Sequence, residues 1–598
     1  MKAYNPQVLA SLRRAMHCRH LDALHISGTD PHMSEYLCDH WQVRRWVSGF
    51  TGSYGEVVVT MEEAILWTDT RYFLQAEAEL AGSGFRMLPL RVPQAVGVEQ
   101  WLAGHLPAGS RVGFDPYTLP LGSYRALLEL LTPRKITLVP VPELIGEVWT
   151  TRPPLPSAPL FEMETALAGA SRSSKRAAIV DTLARHDASA TVITSLSELA
   201  WCFNLRGEDI PYNPVFLGYG LIGSGFHHLF VQPGTLPASL EAKLLEEGIT
   251  LAGYAGFMNF LGTLRGMTLL IDPASASCGI FMALREQCRV VEAPSPVEIF
   301  KAIKNNTELK GFRESMQRDG VALVAFLHWL SRHAGDPGVT EYTVGRHLAA
   351  FRAKQPGFRG ESFKPIIGYR EHGAVVHLTV DQENALPLEK NGVLLFDSGG
   401  QYLAGTTDIT RTVALGAVTP QQKRDFTLVL KGVIALTEAV FPEGTRGIHL
   451  DILARRAMWQ HGIDYGHGTG HGVGHFLSVH EGPAAIRREW NPHEIKPGMV
   501  FSNEPGIYRT GAYGIRIENM MVCVEKETTP FGKFLAFETL TLCPIDARLV
   551  ELSLLLPQEV EWLNRYHRQV RKSLMPLMPE DLQPFLEELT AEIHCSGG

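Results

Sequence analysis

The stretch VLLFDSGGQYLAGTTDITRT, residues 393–412, decides the fold of the C-terminal half of this chain. Two apolar, strand-like runs, VLLF and ITRTV, each adjoin an acidic residue, Asp397 and Asp408. Acidic residues are uncommon in strands, so both need a reason to be there. If the two runs pair as a hairpin, the carboxylates lie side by side and face the same way. The alternative is that each aspartate caps a turn, because SGG and AGTTD are turn sequences.

Two glutamates further along the chain stand in similar settings. Glu504 occurs in FSNEPG and Glu518 in IRIENMM, where it alternates with apolar residues. This pattern predicts partly buried carboxylates, which are costly without a counter-charge. The alternative for either glutamate is a buried ion pair, for instance with Arg516 or Arg411.

The stretch YGHGTGHGVGHFLSVHEGP, residues 465–483, holds four histidines among glycines: His467, His471, His475 and His480. The spacing of His471 and His475 imitates the HxxxH zinc signature of helices. The interspersed glycines oppose a helix, so that geometry is not expected here. Four carboxylates with one imidazole instead predict a site for a hard or borderline divalent metal, and such sites often hold two ions.

Length and composition predict a multidomain globular protein. The chain has 598 residues, of which 45% are hydrophobic and 20% charged, which is too long for one core. The first half alternates strand-like and helical runs around a Pro-rich linker at 151–160, whereas the third part combines helices with antiparallel strands. We therefore predict α/β domains at 1–155 and 156–303, an α+β domain at 304–545 and a helical C-terminal extension at 546–598.

Local patterns within the third part predict individual elements. Helices are expected from Thr307 to His333, from Glu341 to Lys354, after an N-cap at Thr419, and before a stop at His461-Gly462. Strands are expected at AVVHLTV (374–380), VLLFDSG and TDITRTVAL. The extension from 546 is expected to pack on the third domain.

Charge and cysteine use restrict the partners and the compartment. The net charge of −8 gives no electrostatic reason to expect nucleic acid or an anionic membrane as a partner. Basic pairs such as Arg44-Arg45 and Arg455-Arg456 predict solvated helix faces. The N-terminus predicts an amphipathic helix, not a signal peptide, and no apolar run is long enough to span a membrane. Eight scattered cysteines without a CxxC pair favour free thiols in a reducing compartment, so we expect a cytoplasmic protein.

The order Asp397, Asp408, His471, Glu504 and Glu518 resembles the metallopeptidase family of pita-bread fold. That family includes methionine aminopeptidase, prolidase and aminopeptidase P. The stretches LLFDSGGQYLAGTTDITRT, HGTGHGVGHFLSVHEGP, SNEPGIY and GIRIEN carry the resemblance. Stretches outside them, such as LWTDTRYFLQA and FETLTLCPID, are similar to the long, three-domain Xaa-Pro aminopeptidases. The resemblance implies two creatinase-like N-terminal domains before a pita-bread catalytic domain.

The resemblance also implies a ligand set for two divalent metal ions. Asp408 and Glu518 would bridge both ions, Asp397 would complete one shell, and His471 and Glu504 would complete the other. The usual metal is manganese, with cobalt or zinc as alternatives, because an oxygen-rich shell does not select one metal. A water that bridges both ions would attack the bond, with Glu504 as general base.

Further roles follow from the same resemblance. His480 is similar to the histidine that stabilises the oxyanion, His377 to one that binds near the scissile bond, and His467 to one that lines the proline pocket. Tyr508 and Arg516 match positions that hydrogen-bond with the first aspartate. The residues alone favour a satisfied histidine at 377 and turn-stabilising hydrogen bonds at 467 and 480. The family does not depend on His475.

The activity implied is removal of the N-terminal residue from peptides with proline at the second position. Proline-containing peptides would be the partners, and a homodimer is expected from the family. One alternative is a prolidase that takes Xaa-Pro dipeptides, although prolidases usually lack the middle domain. The other is a catalytically silent, peptide-binding pita-bread protein, although such relatives typically lose metal ligands.

Overall fold

The computed structural model describes residues 6–594. The first five residues of the predicted N-terminal helix and Cys595 lie outside the described residues. Residues up to Thr165 together with Ala170–Glu298 form one compact unit, and Ala166–Gly169 with the residues from Ile299 onward form a second. Among the described helices, none is both long and apolar enough to cross a bilayer.

The first unit begins with a mixed six-stranded sheet in the order β4-β3-β2-β1-β5-β6. Strand β1 is antiparallel to β2 and parallel to β5, as expected for α/β structure with helical crossovers. The strands are Ala23–Ile26 (β1), Glu56–Thr60 (β2), Ala64–Thr68 (β3), Arg86–Pro89 (β4), Arg111–Phe114 (β5) and Thr137–Pro140 (β6). The helices are Pro6–Cys18 (α1), Val43–Ser48 (α2), Phe73–Leu80 (α3), Val98–His105 (α4), Leu121–Leu131 (α5) and Leu144–Val148 (α6).

A second sheet in the same unit repeats this topology in the order β12-β11-β10-β8-β13-β14. Its strands are Ala190–Ile193 (β8), Gly218–Gly223 (β10), Phe226–Val231 (β11), Ile249–Gly253 (β12), Thr268–Ile271 (β13) and Arg289–Glu292 (β14), and Phe161–Glu162 (β7) pairs separately with Leu205–Arg206 (β9). The helices are Thr165–Ala168 (α7), Arg172–Ala184 (α8), Leu196–Cys202 (α9), Ala238–Glu246 (α10), Phe257–Leu261 (α11), Cys278–Leu284 (α12) and Pro296–Ala302 (α13). Helix α7 from Ala166 and helix α13 from Ile299 belong to the second unit. Residues 152–160, between the two sheets, form neither helix nor strand, as the proline content predicts.

The second unit has the predicted α+β plan. Its largest sheet runs β21-β28-β27-β24-β22-β23, and smaller sheets run β15-β18-β19, β16-β17-β20 and β25-β26. The helices are Asn306–His333 (α14), Glu341–Arg352 (α15), Pro420–Thr437 (α16), Gly447–Trp459 (α17), Pro557–Leu574 (α18) and Gln583–Leu589 (α19). The strands are Phe358–Glu361 (β15), Ile366–Tyr369 (β16), Val393–Ser398 (β17), Gly400–Tyr402 (β18), Gly405–Thr406 (β19), Ile409–Ala414 (β20), Val440–Pro442 (β21), Gly470–Gly472 (β22), Glu481–Ile486 (β23), Val500–Asn503 (β24), Gly506–Arg509 (β25), Tyr513–Arg516 (β26), Asn519–Thr529 (β27) and Gly532–Thr539 (β28).

Side chains cap the first turns of two long helices of this unit, and one of these caps, Thr419, was predicted. Asn305 accepts hydrogen bonds from the first turn of α14, and Thr419 accepts one from the amide of Gln422 ahead of α16. All four predicted helices are confirmed. Helix α17 ends at Trp459, two residues before the predicted stop. The extension packs as predicted, because Trp562 and Tyr566 of α18 are buried in the core of this unit.

Two sequence predictions in this unit are wrong in detail. The segment AVVHLTV is not a strand but a turn that follows a 3-10 helix at Arg370–Ala374. Arg370, with a φ of 51°, follows the end of β16 and begins the 3-10 helix, so the extended conformation of β16 is not continued into the apolar alternation. Strands β17 and β20 do pair antiparallel, but the chain between them forms β18 and β19 instead of a simple hairpin turn.

The basic pairs are also only half correctly predicted. Arg45 and Arg456 are not buried, whereas Arg44 and Arg455 are. Arg44 donates hydrogen bonds to the carbonyls of Gly52 and Gly55. Adjacent helical positions point about 100° apart, so two neighbouring arginines need not share a face.

Candidate active site

The two aspartates of the opening stretch face the same side of one strand pair. Asp397 of β17 lies opposite Thr410 of β20, and Asp408 stands two residues before Thr410. Residues two apart along a strand point to the same face, so the two carboxylates are diagonal neighbours. Both are buried. The prediction that they share a face is confirmed, although turn residues do separate them.

The remaining predicted ligands lie in or directly next to strands β22, β24 and β27 of the six-stranded sheet. His471 is the central residue of β22, so the glycine-rich stretch is extended there and not helical. Glu504 follows β24 and donates its amide to the carbonyl of Thr469, and Glu518 donates its amide to the carbonyl of Thr410. The Nε2 atom of His471 lies 3.4 Å from Asp408 Oδ2 and 3.4 Å from Glu504 Oε1. Ligand atoms of Asp408, His471 and Glu518 all lie within 4.8 Å of one another.

The acidic cluster, defined as Asp397, Asp408, Glu504 and Glu518, is electrostatically unfavourable without a cation. Burial, together with the neighbouring carboxylates, raises the pKa of Asp397, of Glu504 and most strongly of Glu518. Burial alone would lower the pKa of His471, but its interactions with Asp408 and Glu504 raise it to about 9. Each shift has the direction expected for acids crowded into a low-dielectric pocket.

The donor set fits divalent metal ions. Asp397 Oδ1 and Glu518 Oε1 are buried, and neither has a hydrogen-bond partner in the part of the chain that the structure describes. A buried carboxylate oxygen without a donor is costly unless a cation binds it. Carboxylate oxygens with a single imidazole are ligands for manganese-like ions, in contrast to the cysteine-rich shells of structural zinc sites.

A chain of hydrogen bonds links a predicted pocket histidine to the acidic cluster. The hydroxyl of Tyr508 lies 2.8 Å from His467 Nε2 and accepts a hydrogen bond from Arg516 Nη1 at 2.7 Å. Arg516 Nη2 in turn donates to Asp397 Oδ2 at 2.5 Å. The structure therefore brings His467, Tyr508, Arg516 and Asp397 together, and Arg516 supplies a positive charge at the edge of the cluster.

The other predicted histidines fall in three different places. The ring of His480 lies 4.3 Å from that of His471, nearly perpendicular to it. His475 is buried, with Nδ1 3.9 Å from Glu308 Oε1 and its ring against Phe312. His377 is half-buried in the turn after the 3-10 helix, whose residue Gly373 packs closely on Gly514. Only His480 of these three directly contacts a predicted metal ligand in a described ring pair.

Two hydroxyl residues beside the ligands were not predicted. Thr410 donates to Glu518 Oε2 at 2.8 Å and accepts from Arg516 Nε at 3.1 Å. Ser502 donates to Glu504 Oε1 at 3.2 Å and accepts from the amide of His471 at 3.0 Å. Hydrogen bonds to ligating carboxylates fix their orientation. The available signal was position, since each lies two residues from a predicted acid on the same strand face.

Comparison with known proteins matches each part of this architecture. Residues 9–148 and 151–308 each match a creatinase/prolidase N-terminal domain, residues 310–525 match metallopeptidase family M24, and residues 533–593 match the C-terminal region of that family. These matches confirm the predicted fold of two creatinase-like domains, a pita-bread catalytic domain and a C-terminal extension. The fold and the acidic cluster thus define a metallopeptidase.

Full-length relatives narrow the assignment. The chain is 40% identical over 604 aligned positions to a probable Xaa-Pro aminopeptidase P of Laccaria bicolor, covering 98% of this chain and 93% of the relative. It is 38% identical to aminopeptidase P2 of Arabidopsis thaliana, covering 93% and 84%. A crystal structure of X-prolyl aminopeptidase from Caenorhabditis elegans, described as a cytosolic enzyme with a di-nuclear active site, superposes with a TM-score of 0.94 at 33% identity, covering 98% of this chain and 99% of that one. The chain belongs to the Xaa-Pro aminopeptidase family of M24 metallopeptidases.

Proposed function

We propose that this enzyme removes the N-terminal residue from peptides that carry proline at the second position. The observation that carries the proposal is the set of buried Asp408 and Glu518 with half-buried His471, whose ligand atoms lie within 4.8 Å of one another. The chain that holds them is similar over almost its whole length to Xaa-Pro aminopeptidases. A bond to proline lacks an N–H and has a fixed ring beside it, so its hydrolysis needs a dedicated pocket.

We propose that five residues hold two divalent ions: Asp397, Asp408, His471, Glu504 and Glu518. Two oxygens of this set, on Asp397 and Glu518, are buried without a described hydrogen-bond partner, which supports the assignment. When bound, the ions supply Lewis acidity and a water of lowered pKa. Manganese is the metal we propose, with cobalt and zinc as alternatives.

Glu504 is the general base in this proposal. Its carboxylate accepts the proton of the attacking water and passes it to the proline nitrogen, which leaves as a secondary amine. Hydrogen bonding from Ser502 to Glu504 Oε1, at 3.2 Å, would hold the carboxylate in one orientation. The ring of His480 lies edge-to-face with that of His471, and His480 stabilises the charge that develops on the carbonyl oxygen.

The substrate side of the site is formed by the hydrogen-bonded chain that ends at Asp397. His467 and Tyr508 line the pocket for the proline ring, and Arg516 holds Tyr508 and Asp397 in place. His377 binds close to the scissile bond. These roles are supported by the short distances within the chain and by the position of His377 in a turn beside the β25–β26 hairpin.

We also propose the domain division 1–155, 156–303, 304–545 and 546–598, a homodimer and a cytoplasmic location. The two equivalent sheets and the helical tail support the division. The described cysteines are free thiols, five of them buried with raised pKa values, which suits a reducing compartment. Sedimentation of the purified protein at twice the chain mass would support the dimer.

The test of the activity compares Xaa-Pro-Xaa tripeptides with Xaa-Pro dipeptides. Protein stripped with a chelator is reloaded with manganese, cobalt or zinc, and the bound metal is counted. We expect two ions per chain, release of the first residue from the tripeptide, fastest with manganese, and little turnover of the dipeptide. Faster dipeptide turnover would make the enzyme a prolidase, and no turnover by metal-loaded protein would overturn both peptidase functions.

A further inference from the structure

Arg455 lies on α17, a helix that contributes no predicted ligand, and contacts the glycine-rich stretch that contains His467. It is 1% exposed and projects from the buried face of α17 toward residues 464–469. A buried arginine must find partners for its donors. Four oxygens accept hydrogen bonds from this guanidinium: two belong to aspartate carboxylates and two to main-chain carbonyls.

The partners of Arg455 all lie on one short segment and its own helix. Nε donates to Asp451 Oδ2 at 2.7 Å, Nη1 donates to the carbonyl of Tyr465 at 2.7 Å and to Asp464 Oδ1 at 2.8 Å, and Nη2 donates to the carbonyl of His467 at 2.7 Å. The guanidinium also lies 3.8 Å above the ring centre of Tyr465. The side chain of Arg455 thus contacts the segment 464–469 at three residues, Asp464, Tyr465 and His467.

Asp451 extends these hydrogen bonds to Thr469. We call the hydrogen bonds from Arg455 and Asp451 to residues 464–469 the brace. Its second oxygen accepts a hydrogen bond from Thr469 at 2.5 Å, and the hydroxyl of Tyr465 lies 2.5 Å from that of Thr469. Glycines at 466, 468 and 470 alternate with these anchors. Glycine adds backbone freedom, so the segment depends on its anchors to hold one conformation.

The residue between these anchors is His467. Its Nδ1 atom lies 2.7 Å from the carbonyl of Gly468, and its Nε2 atom lies 2.8 Å from the Tyr508 hydroxyl. With Nδ1–H donating to Gly468, Nε2 accepts from Tyr508. This ring position requires that the backbone at 467 stays where Arg455 holds it.

We propose that Arg455 is a positioning residue for the pocket that receives the second residue of the substrate. It holds the main chain from which His467 reaches Tyr508, and it thereby sets the preference for proline. This inference rests on the proposed function, in which His467 lines that pocket. Lysine cannot replace it, because one ammonium group lacks the planar fork that reaches Asp451 and both carbonyls together.

The test compares Arg455→Lys with the matched variant Arg456→Lys. Arg456 is the exposed neighbour on the same helix. Steady-state kinetics are measured on metal-loaded protein with an Xaa-Pro-Xaa and an Xaa-Ala-Xaa tripeptide, and hydrogen exchange is measured for peptides that cover 464–469. Arg455→Met combined with Asp451→Asn provides a second variant, since it removes both buried charges together.

For Arg455→Lys we expect KM for the proline substrate to rise about tenfold, while kcat changes far less. The preference for proline over alanine falls by the same factor, metal content is unchanged, and exchange at 464–469 is faster. The double variant shows the same pattern, and Arg456→Lys matches the parent. Unchanged exchange at 464–469, or equal losses on both substrates, would overturn the inference. Absence of turnover by the parent would instead refute the proposed function. Hydrogen exchange at 464–469 would still show whether Arg455 holds this segment.

Discussion

Glu481 and Glu518 are both buried glutamates next to the large sheet of the second unit, yet their surroundings are opposite. Glu481 lies between two buried lysines, with Lys301 Nζ and Lys304 Nζ each 2.6 Å from its carboxylate. We call these three residues the lysine–glutamate cluster. Around Glu518 lie instead the three other carboxylates of the acidic cluster, and the hydroxyl of Thr410 donates a hydrogen bond to it.

The two clusters titrate in opposite directions. Burial alone would raise the pKa of Glu481, but the two ammonium groups bring it below its ordinary value. Burial and like charge raise the pKa of Glu518 well above its ordinary value. In the lysine–glutamate cluster, where the buried acid has a structural role, the chain itself supplies the neutralising cations. In the acidic cluster Arg516 pairs with Asp397, but this is less positive charge than four carboxylates need, and we propose that bound ions supply the rest.

The largest expected effect is on the acidic cluster. Asp408→Asn or Glu518→Gln removes a proposed bridging charge, so both bound metal and turnover should fall by more than about 100-fold, beyond the loss seen for residues that only support a ligand. Metal analysis and tripeptide turnover measure this. In metal-free protein the melting temperature should stay equal or rise, because a repelling charge is gone. Retention of both ions by either variant would contradict the assignment.

The lysine–glutamate cluster should respond in the opposite way. Glu481→Gln leaves two buried ammonium groups without their counter-charge, so the free energy of unfolding should fall by about 3–5 kcal/mol, with or without metal. Denaturant unfolding measures the loss. Glu489→Gln, an exposed position a few residues away, is the matched control and should change stability by less than about 0.5 kcal/mol. Equal effects of the two variants would show that the two buried lysines do not depend on the charge of Glu481.

The pH dependence of metal-free protein sharpens the contrast further. The folded-state pKa values of Asp397 (about 6), Glu504 (about 7) and His471 (about 9) all lie above their ordinary values. At these three positions the folded chain binds more protons than the unfolded chain, so their contribution to stability falls as pH rises. Relative to manganese-loaded protein, the melting temperature of metal-free protein should therefore decline from about pH 4 to pH 9. Manganese should remove most of that decline, and a flat profile without metal would contradict the acidic cluster's role.

The smallest effect is expected at His475. It packs on Phe312 and lies 3.9 Å from Glu308, away from the proposed ligands. His475→Ser should lower the free energy of unfolding by about 1 kcal/mol and leave metal content and turnover within about twofold. Melting curves and tripeptide turnover check this. Loss of an ion in this variant would place His475 in the metal site.

Much of the site could be predicted from local sequence. Asp397, Asp408, Glu504 and Glu518 stand out because acids in strand-like surroundings are unusual, and glycines beside His471 argue against a helical zinc motif. Helix α14 follows from its apolar spacing, and the structure adds the capping pair of Asn305 and Glu308. These features depend on neighbours within a few residues, so the sequence contains their cause.

Other residues could not be assigned in this way. Arg455 was expected on a solvated face, but its partners are carbonyls at 465 and 467, which come close only after the chain turns at the end of α17. Lys301 and Lys304 look like ordinary surface residues until β23 brings Glu481 between them. The turn at His377 likewise depends on the preceding 3-10 helix, whose residue Gly373 packs on Gly514 of another strand.

By itself, the sequence determined the order of domains, the helices with their caps, and the acids and histidine that we propose bind metal. Only the tertiary structure decided which buried charges are neutralised by the chain and which are left for ions. The reason is physical: secondary structure follows from side chains a few positions apart, whereas the energy of a buried charge depends on whatever group lies within a few ångströms. For Glu481 and Arg455 that group comes from another element of the fold.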